Sequence, residues 1–124
     1  MARVDLSTLD CFRDKERIGR LISYVEVNDS LMPHSIAVAT GCSLEEALTL
    51  LLMLYGKHLV DGYVLVYHSA HPDFPIDRRP IGEGLPPQKS YTCPACEMTE
   101  ISASEMLFDL EFRLIKEVEF TVDL

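Results

Sequence analysis

A short break between two helical segments constrains the fold of this chain more than any other feature. Gly41 ends the first segment, because glycine tolerates the left-handed conformation that a helix C-terminus often needs. Ser43 and Glu46 then form an S-x-x-E capping box, which predicts the start of a second helix. A β-branched and aromatic run over residues 63–67 follows and favours an extended strand. The sequence therefore predicts helix, tight turn, helix and strand in that order.

This order resembles a winged helix-turn-helix domain over residues 36–68, and the resemblance implies an α+β fold. Domains of this kind often bind DNA through the second helix, which presents Arg, Lys, Asn, Gln or Ser to bases and phosphates. Here residues 44–57 offer Glu45, Glu46 and a terminal Lys57 instead. The resemblance lies in pattern and speaks to fold more than to function.

The charge balance bears on the partners that the chain can bind. Its 124 residues include 11 basic and 20 acidic side chains, for a net charge of −9. The resulting field repels nucleic acid and anionic membrane surfaces. The N-terminus lacks a signal-peptide pattern, and the most apolar run is far shorter than the ~20 residues of a membrane span. We expect a soluble, cytoplasmic protein without membrane association.

The second helix has two apolar faces. Leu50 and Met53, together with Glu46 and Lys57, are expected on its outer side, where exposed apolar side chains usually mark partner surfaces. These four are the candidate protein-binding residues, unless the N-terminal arm or the C-terminal tail covers them. Six others form the stripe that is expected to pack inward: Leu44, Ala47, Leu48, Leu51, Leu54 and Tyr55.

The cysteines predict a metal site. Four cysteines suit a reducing compartment better than a disulfide framework, and Cys42 is interpreted as a buried small apolar residue. Cys93 and Cys96 form a C-P-x-C step that is typical of a zinc knuckle. His68 and His71 are the candidate second pair of a structural Cys₂His₂ zinc site.

Two considerations leave the zinc hypothesis open. A simple hairpin of residues 62–68 with 89–93 would put His68 and Cys93 on the order of 20 Å apart, from the rise per residue of a strand. The C-P-x-C step is also compatible with a plain pair of reduced cysteines and, third in order, with redox catalysis.

The flanking segments are less specific. Residues 1–12 read as a flexible arm, and residues 14–24 as an amphipathic first helix. Asp29 or Ser30 is expected to cap the next helix. Residues 69–90 are rich in proline and glycine, which predicts a long irregular loop.

The C-terminal part predicts strand structure. From Phe108 to Leu124 every even position except Lys116 is apolar, and this period of two indicates one bent strand or two strands with the odd positions exposed. Such a terminal strand is an open edge unless something pairs with it.

We therefore expect two parts, a winged-helix-like domain over residues 1–89 with the proline-rich loop at 69–89, and a zinc-knuckle and β-strand appendage over 90–124 packed on it. The first functional hypothesis is a non-enzymatic interaction or adaptor subunit that binds a protein partner or a second copy of itself. The alternative is a DNA-binding transcriptional regulator in which Arg78, Arg79 and Lys57 contact phosphates. An enzyme is not expected, because no G-x-S-x-G or phosphate-loop motif occurs.

Overall fold

The computed structural model describes residues 2–83, 91–93, 98–101 and 103–122. It shows a mixed α and β protein of two compact units. Unit 1 comprises Met1–Asp61 and Phe112–Leu124, and unit 2 comprises Gly62–Glu111. This division differs from the expected boundary at residue 89, because the end of the chain returns to the unit that contains the helices.

Three helices form most of unit 1: α1 (Lys15–Val27), α2 (Pro33–Thr40) and α3 (Leu44–Gly56). Asp14 caps α1 by accepting a hydrogen bond from the N–H of Glu16 at 2.9 Å. Helix α2 begins with proline at its first turn, where the missing N–H has no partner to lose. Its N-cap is Met32, so the expected cap at Asp29 or Ser30 was wrong.

The N-terminal segment belongs to the folded part of unit 1. Strand β1 (Ala2–Asp5) pairs in parallel with β7 (Val118–Thr121), in a register that places Val4 opposite Phe120. Val4 and Leu6 are fully buried. The expectation of a flexible arm was wrong, because the partner strand lies at the other end of the sequence.

The core of unit 1 includes its helices and residues 112–114, which end strand β6 (Met106–Leu114). Phe112 and Leu31 exchange two backbone hydrogen bonds, at 2.7 and 2.8 Å. The Phe112 ring also meets Tyr55 of α3 edge to face, with 6.4 Å between ring centroids. The fully buried side chains of this unit include Phe12, Leu21, Ile36, Leu50, Leu51 and Phe112.

Unit 2 is built on strands. Strand β2 (Val60–His68) lies between β3 (Asp77–Pro80) and β6 in a three-stranded sheet, and β3 runs antiparallel to β2. Part of the segment expected to be irregular is therefore a strand, with Pro80 at its end, where a lost N–H is tolerated. Residues 84–90 of that segment lie outside the described residues.

A separate strand pair, β4 (Tyr91–Cys93) and β5 (Met98–Ile101), runs antiparallel. Within the described residues, β2 pairs with β3 and β6, and the simple hairpin of β2 with residues 91–93 does not form.

The C-terminal alternation is confirmed in part. The break falls at residues 115–117 and separates two strands, β6 and β7, and Phe112 and Phe120 are buried. Phe108 is 52% exposed, however, and the side chain of Glu111 is largely buried in an ion pair with Arg78. The expected inward and outward faces were wrong at these two positions, and Leu124 lies outside the described residues.

No single helix in the described ranges has both the length and the apolar character to cross a membrane. Helices α2 and α3 reach that length only together, as a pair bent by 119°.

Candidate interaction surface

The turn between α2 and α3 sets the direction of α3. Gly41 has φ +78°, a left-handed conformation that glycine adopts without steric cost, and its N–H donates to the carbonyl of Ala37 at 2.9 Å. The buried Thr40 hydroxyl donates to the carbonyl of Ile36 at 2.7 Å. The expected glycine end of the first helix is confirmed, and the chain turns by 119° over residues 41–43.

A complete capping box starts α3. The N–H of Glu46 donates to Oγ of Ser43, and the N–H of Ser43 donates to Oε1 of Glu46, both at 3.1 Å. The pKa of Glu46 is lowered, first by the backbone N–H of Ser43 and then by its side chain. Glu45 and Glu46 thus place negative charge at the helix N-terminus, which the helix dipole favours.

The solvent side of α3 forms what we call the α3 outward face, which comprises Glu45, Thr49, Leu52 and Gly56. These residues recur at helical spacing, and Leu52 is 47% exposed. The Thr49 hydroxyl donates a hydrogen bond to the carbonyl of Glu45 at 2.8 Å. The face therefore presents one large apolar side chain, Leu52, and one carboxylate, Glu45.

The N-terminal segment reaches the first turns of this face. A shallow cavity of about 200 Å³ is lined by residues 8–10 together with Glu45, Glu46 and Thr49. Asp10 adds another carboxylate there. The start of α3, which in a DNA-reading helix approaches the bases, is thus bordered by acidic groups and by the chain itself.

The predicted partner-binding residues are distributed differently from the expectation. Leu50 is fully buried, so its outward placement was wrong: it lies three residues after Ala47 and four before Leu54, on the inward stripe. Met53 and Glu46 are half-buried, and Lys57 is exposed at the C-cap. Leu52 and Leu44 are exposed apolar residues that were not predicted to lie on the surface. The helical spacing of Glu45, Thr49 and Gly56 was the signal that Leu52 faces outward.

The arginines of the DNA-binding alternative have partners inside unit 2. Nη2 of Arg78 lies 2.9 Å from Oε1 of Glu111, and its guanidinium stacks 3.7 Å from the centroid of the Tyr63 ring. Nε of Arg79 lies 2.9 Å from Oδ2 of Asp77. A contact of either arginine with a phosphate would compete with these pairs.

The predicted zinc ligands are brought together only in part. His68 and His71 are adjacent, with 5.7 Å between ring centroids, and the N–H of His71 donates to the carbonyl of His68 at 2.9 Å. Cys93 is buried, and Cys96 lies outside the described residues. Among the side chains that are described, no three of the His, Cys, Asp and Glu type form a group able to hold a metal, so Cys93 is not grouped with the two histidines.

Comparisons of the chain with protein-family models, with curated proteins and with solved structures found no match.

Proposed function

We propose that this chain is a non-enzymatic protein-interaction module, a winged helix-turn-helix domain whose second helix binds protein instead of DNA. The observation that carries the proposal is the α3 outward face, where an exposed Leu52 shares the face with Glu45 and no arginine, asparagine or glutamine is present to read bases. Two helices that meet at 119° across a short glycine turn have the geometry of a helix-turn-helix motif.

The strand arrangement supports the winged-helix part of the proposal. The carbonyl and N–H of Leu31, between α1 and α2, both bond to Phe112 of β6. Near the start of β2, the N–H of Ile115 donates to the carbonyl of Leu59 at 3.0 Å. A single-residue β-bridge after the first helix and two longer strands after the third follow the order in which a winged helix forms its small sheet.

Charge favours a partner other than a second copy. A symmetric contact between two α3 outward faces would bring Glu45 and Glu46 of one copy toward the same two carboxylates of the other copy. Like charges in an interface are destabilising. A segment that presents lysine or arginine around a leucine-sized apolar residue satisfies both the carboxylates and Leu52. The proposed partner is therefore a protein with a basic, amphipathic surface.

A labelled peptide tests this surface. The probe is a synthetic amphipathic helix with lysine on one side and leucine on the other, titrated with the full chain and followed by fluorescence anisotropy. We expect binding that weakens as salt screens the charges. Leu52→Ser should weaken binding about tenfold or more, because burial of a leucine contributes roughly 1.5 to 3 kcal/mol.

Leu107→Ser is the matched control, since Leu107 is 49% exposed but lies in unit 2. Equal losses for Leu52→Ser and Leu107→Ser would show that the peptide binds without using α3. Concentration-dependent self-association that Leu52→Ser abolishes would assign the face to a second copy.

The proposal includes structural zinc at the C-P-x-C step. Cys93 is the last residue of β4 and pairs with Met98 at the start of β5, so the step begins where the two strands connect. The described ligands alone do not make a zinc site, and Cys96 is needed to complete the cysteine pair.

Protein purified without chelator is expected to carry zinc, at about one ion per chain or one per two chains, and Cys93→Ser should remove it and lower thermal stability. Metal analysis by mass spectrometry measures this directly. His34→Ala, an exposed histidine of α2, is the control. Metal-free protein, or zinc retained in the Cys93 variant, would exclude the knuckle.

A further inference from the structure

Two of the four cysteines are joined. Cys11, in the 3-10 turn Asp10–Arg13, forms a disulfide with Cys42, in the turn between α2 and α3, and their Cα atoms are 6.0 Å apart. The pair is separated by 31 residues in sequence and links the N-terminal segment to the start of α3. The expectation that these cysteines are reduced, with Cys42 a mere apolar residue, was wrong for this pair.

The two sulfur atoms lie in different surroundings. Cys11 is buried, at 3% exposure, whereas Cys42 is half-buried and is the more accessible residue of the pair. Nη1 of Arg17 lies 3.5 Å from Sγ of Cys11 and 3.5 Å from its carbonyl oxygen. A guanidinium beside a sulfur stabilises the thiolate over the thiol.

Cys42 has its own source of positive potential. It directly precedes the N-cap Ser43, so it lies at the positive end of the α3 dipole. The carboxylate of Glu46 counteracts this positive potential. Its pKa is lowered mainly by Ser43, and also by Arg17 and the N–H of Cys11, so it stays ionised near the disulfide. The contact of Arg17 with Cys11 is therefore the feature that distinguishes the two sulfurs as leaving groups.

We propose that Cys11–Cys42 is a redox-active disulfide that exchanges with dithiol reductants, with Cys42 as the attacked sulfur and Cys11 as the leaving thiolate. A thiolate of the reductant attacks Sγ of Cys42, the bond between the two protein sulfurs breaks, and Sγ of Cys11 departs with the electron pair beside Arg17. The second thiolate of the reductant then attacks its own sulfur in the mixed disulfide and releases Cys42. The reductant loses two electrons and becomes a disulfide, and the two protons from its thiols pass to the protein sulfurs.

Arg17 acts here as a positioning residue, and its removal tests the assignment. The full chain, purified without reductant, is treated with dithiothreitol under native conditions, and each cysteine is followed by alkylation and peptide mass spectrometry. Arg17→Gln is expected to slow reduction several-fold, because a leaving thiol of higher pKa departs more slowly, and Arg17→Lys should restore much of the rate. Arg13→Gln is the control, since Arg13 lies on the same turn and its charged group contacts Ser7 and Asp10.

Thermal unfolding of each variant, oxidised and reduced, separates this effect from loss of structure. Equal reduction rates for the Arg17→Gln and Arg13→Gln variants, at equal stability, would overturn the role of Arg17. Reduction only under unfolding conditions would overturn the redox-active pair altogether.

A separate measurement tests which of the two sulfurs is attacked. In Cys11→Ser the remaining Cys42 thiol should form a mixed disulfide with oxidised glutathione faster than the Cys11 thiol does in Cys42→Ser, because Cys11 is buried. The reverse order, in variants that unfold cooperatively, would overturn Cys42 as the attacked sulfur.

Discussion

Leu50→Ala is expected to lower the free energy of unfolding by about 2 to 5 kcal/mol, whereas Leu52→Ala on the same helix should change it by roughly 0.5 kcal/mol or less. Leu50 is fully buried in the core of unit 1, and its truncation leaves a cavity. Leu52 is 47% exposed and loses little by the same change. Both substitutions replace leucine by alanine in one helix, so helix propensity contributes equally.

Denaturant unfolding followed by circular dichroism measures both free energies. The two variants together determine which side of α3 faces the core. A large loss for Leu52→Ala with a small loss for Leu50→Ala would mean that α3 is rotated about its axis, and the α3 outward face would then be assigned to the wrong residues.

Phe112→Ala should be among the most destabilising substitutions, at about 3 to 5 kcal/mol. Its ring is fully buried and packs against Tyr55. Its backbone N–H and carbonyl both form hydrogen bonds with the backbone of Leu31. Loss of the ring would remove packing between residues 112–114, which belong to unit 1, and the helices of the same unit.

Phe108→Ala is the matched control, because Phe108 lies on the same strand and is 52% exposed. Its expected cost is below about 1 kcal/mol, since truncation of an exposed side chain leaves no cavity. Chemical unfolding of the two variants under identical conditions gives the comparison. Similar costs for both would show that the end of β6 does not complete the helical core.

The elements near the central turn could be predicted because their signals are local. Gly41, Ser43 and Glu46 act within a few residues of one another, and their left-handed turn and reciprocal hydrogen bonds are present as expected. The break between β6 and β7 is equally local, since it follows the interrupted alternation at Lys116.

The remaining features depend on contacts between distant parts of the chain. Residues 2–5 form a strand only because residues 118–121 pair with them, and Cys11 meets Cys42 only once α1 packs on α2. Glu111 lies on the expected wet face, yet its carboxylate pairs with Arg78, whose guanidinium lies over the Tyr63 ring. No pattern in a single segment reports such pairings.

The candidate surface shows how a shift of two positions along a helix changes an assignment. A helix turns by about 100° per residue, so Leu50 and Leu52 point to nearly opposite sides although they are two positions apart. Because the apolar run of α3 is almost continuous, only the polar residues indicate which of the two leucines faces the core. Glu45 and Thr49 indicate the correct side, so both the acidic residue of the face and the outward position of Leu52 could have been predicted from them.

A titration of labelled duplex DNA with the full chain tests the central claim most directly. The account predicts no saturable binding at micromolar protein and physiological salt, because the net charge is −9, α3 has no base-reading side chain, and Arg78 and Arg79 are engaged by Glu111 and Asp77. Micromolar or tighter binding that is lost when Arg78 and Arg79 are both changed to Gln would contradict it and assign the chain to the DNA-binding regulators.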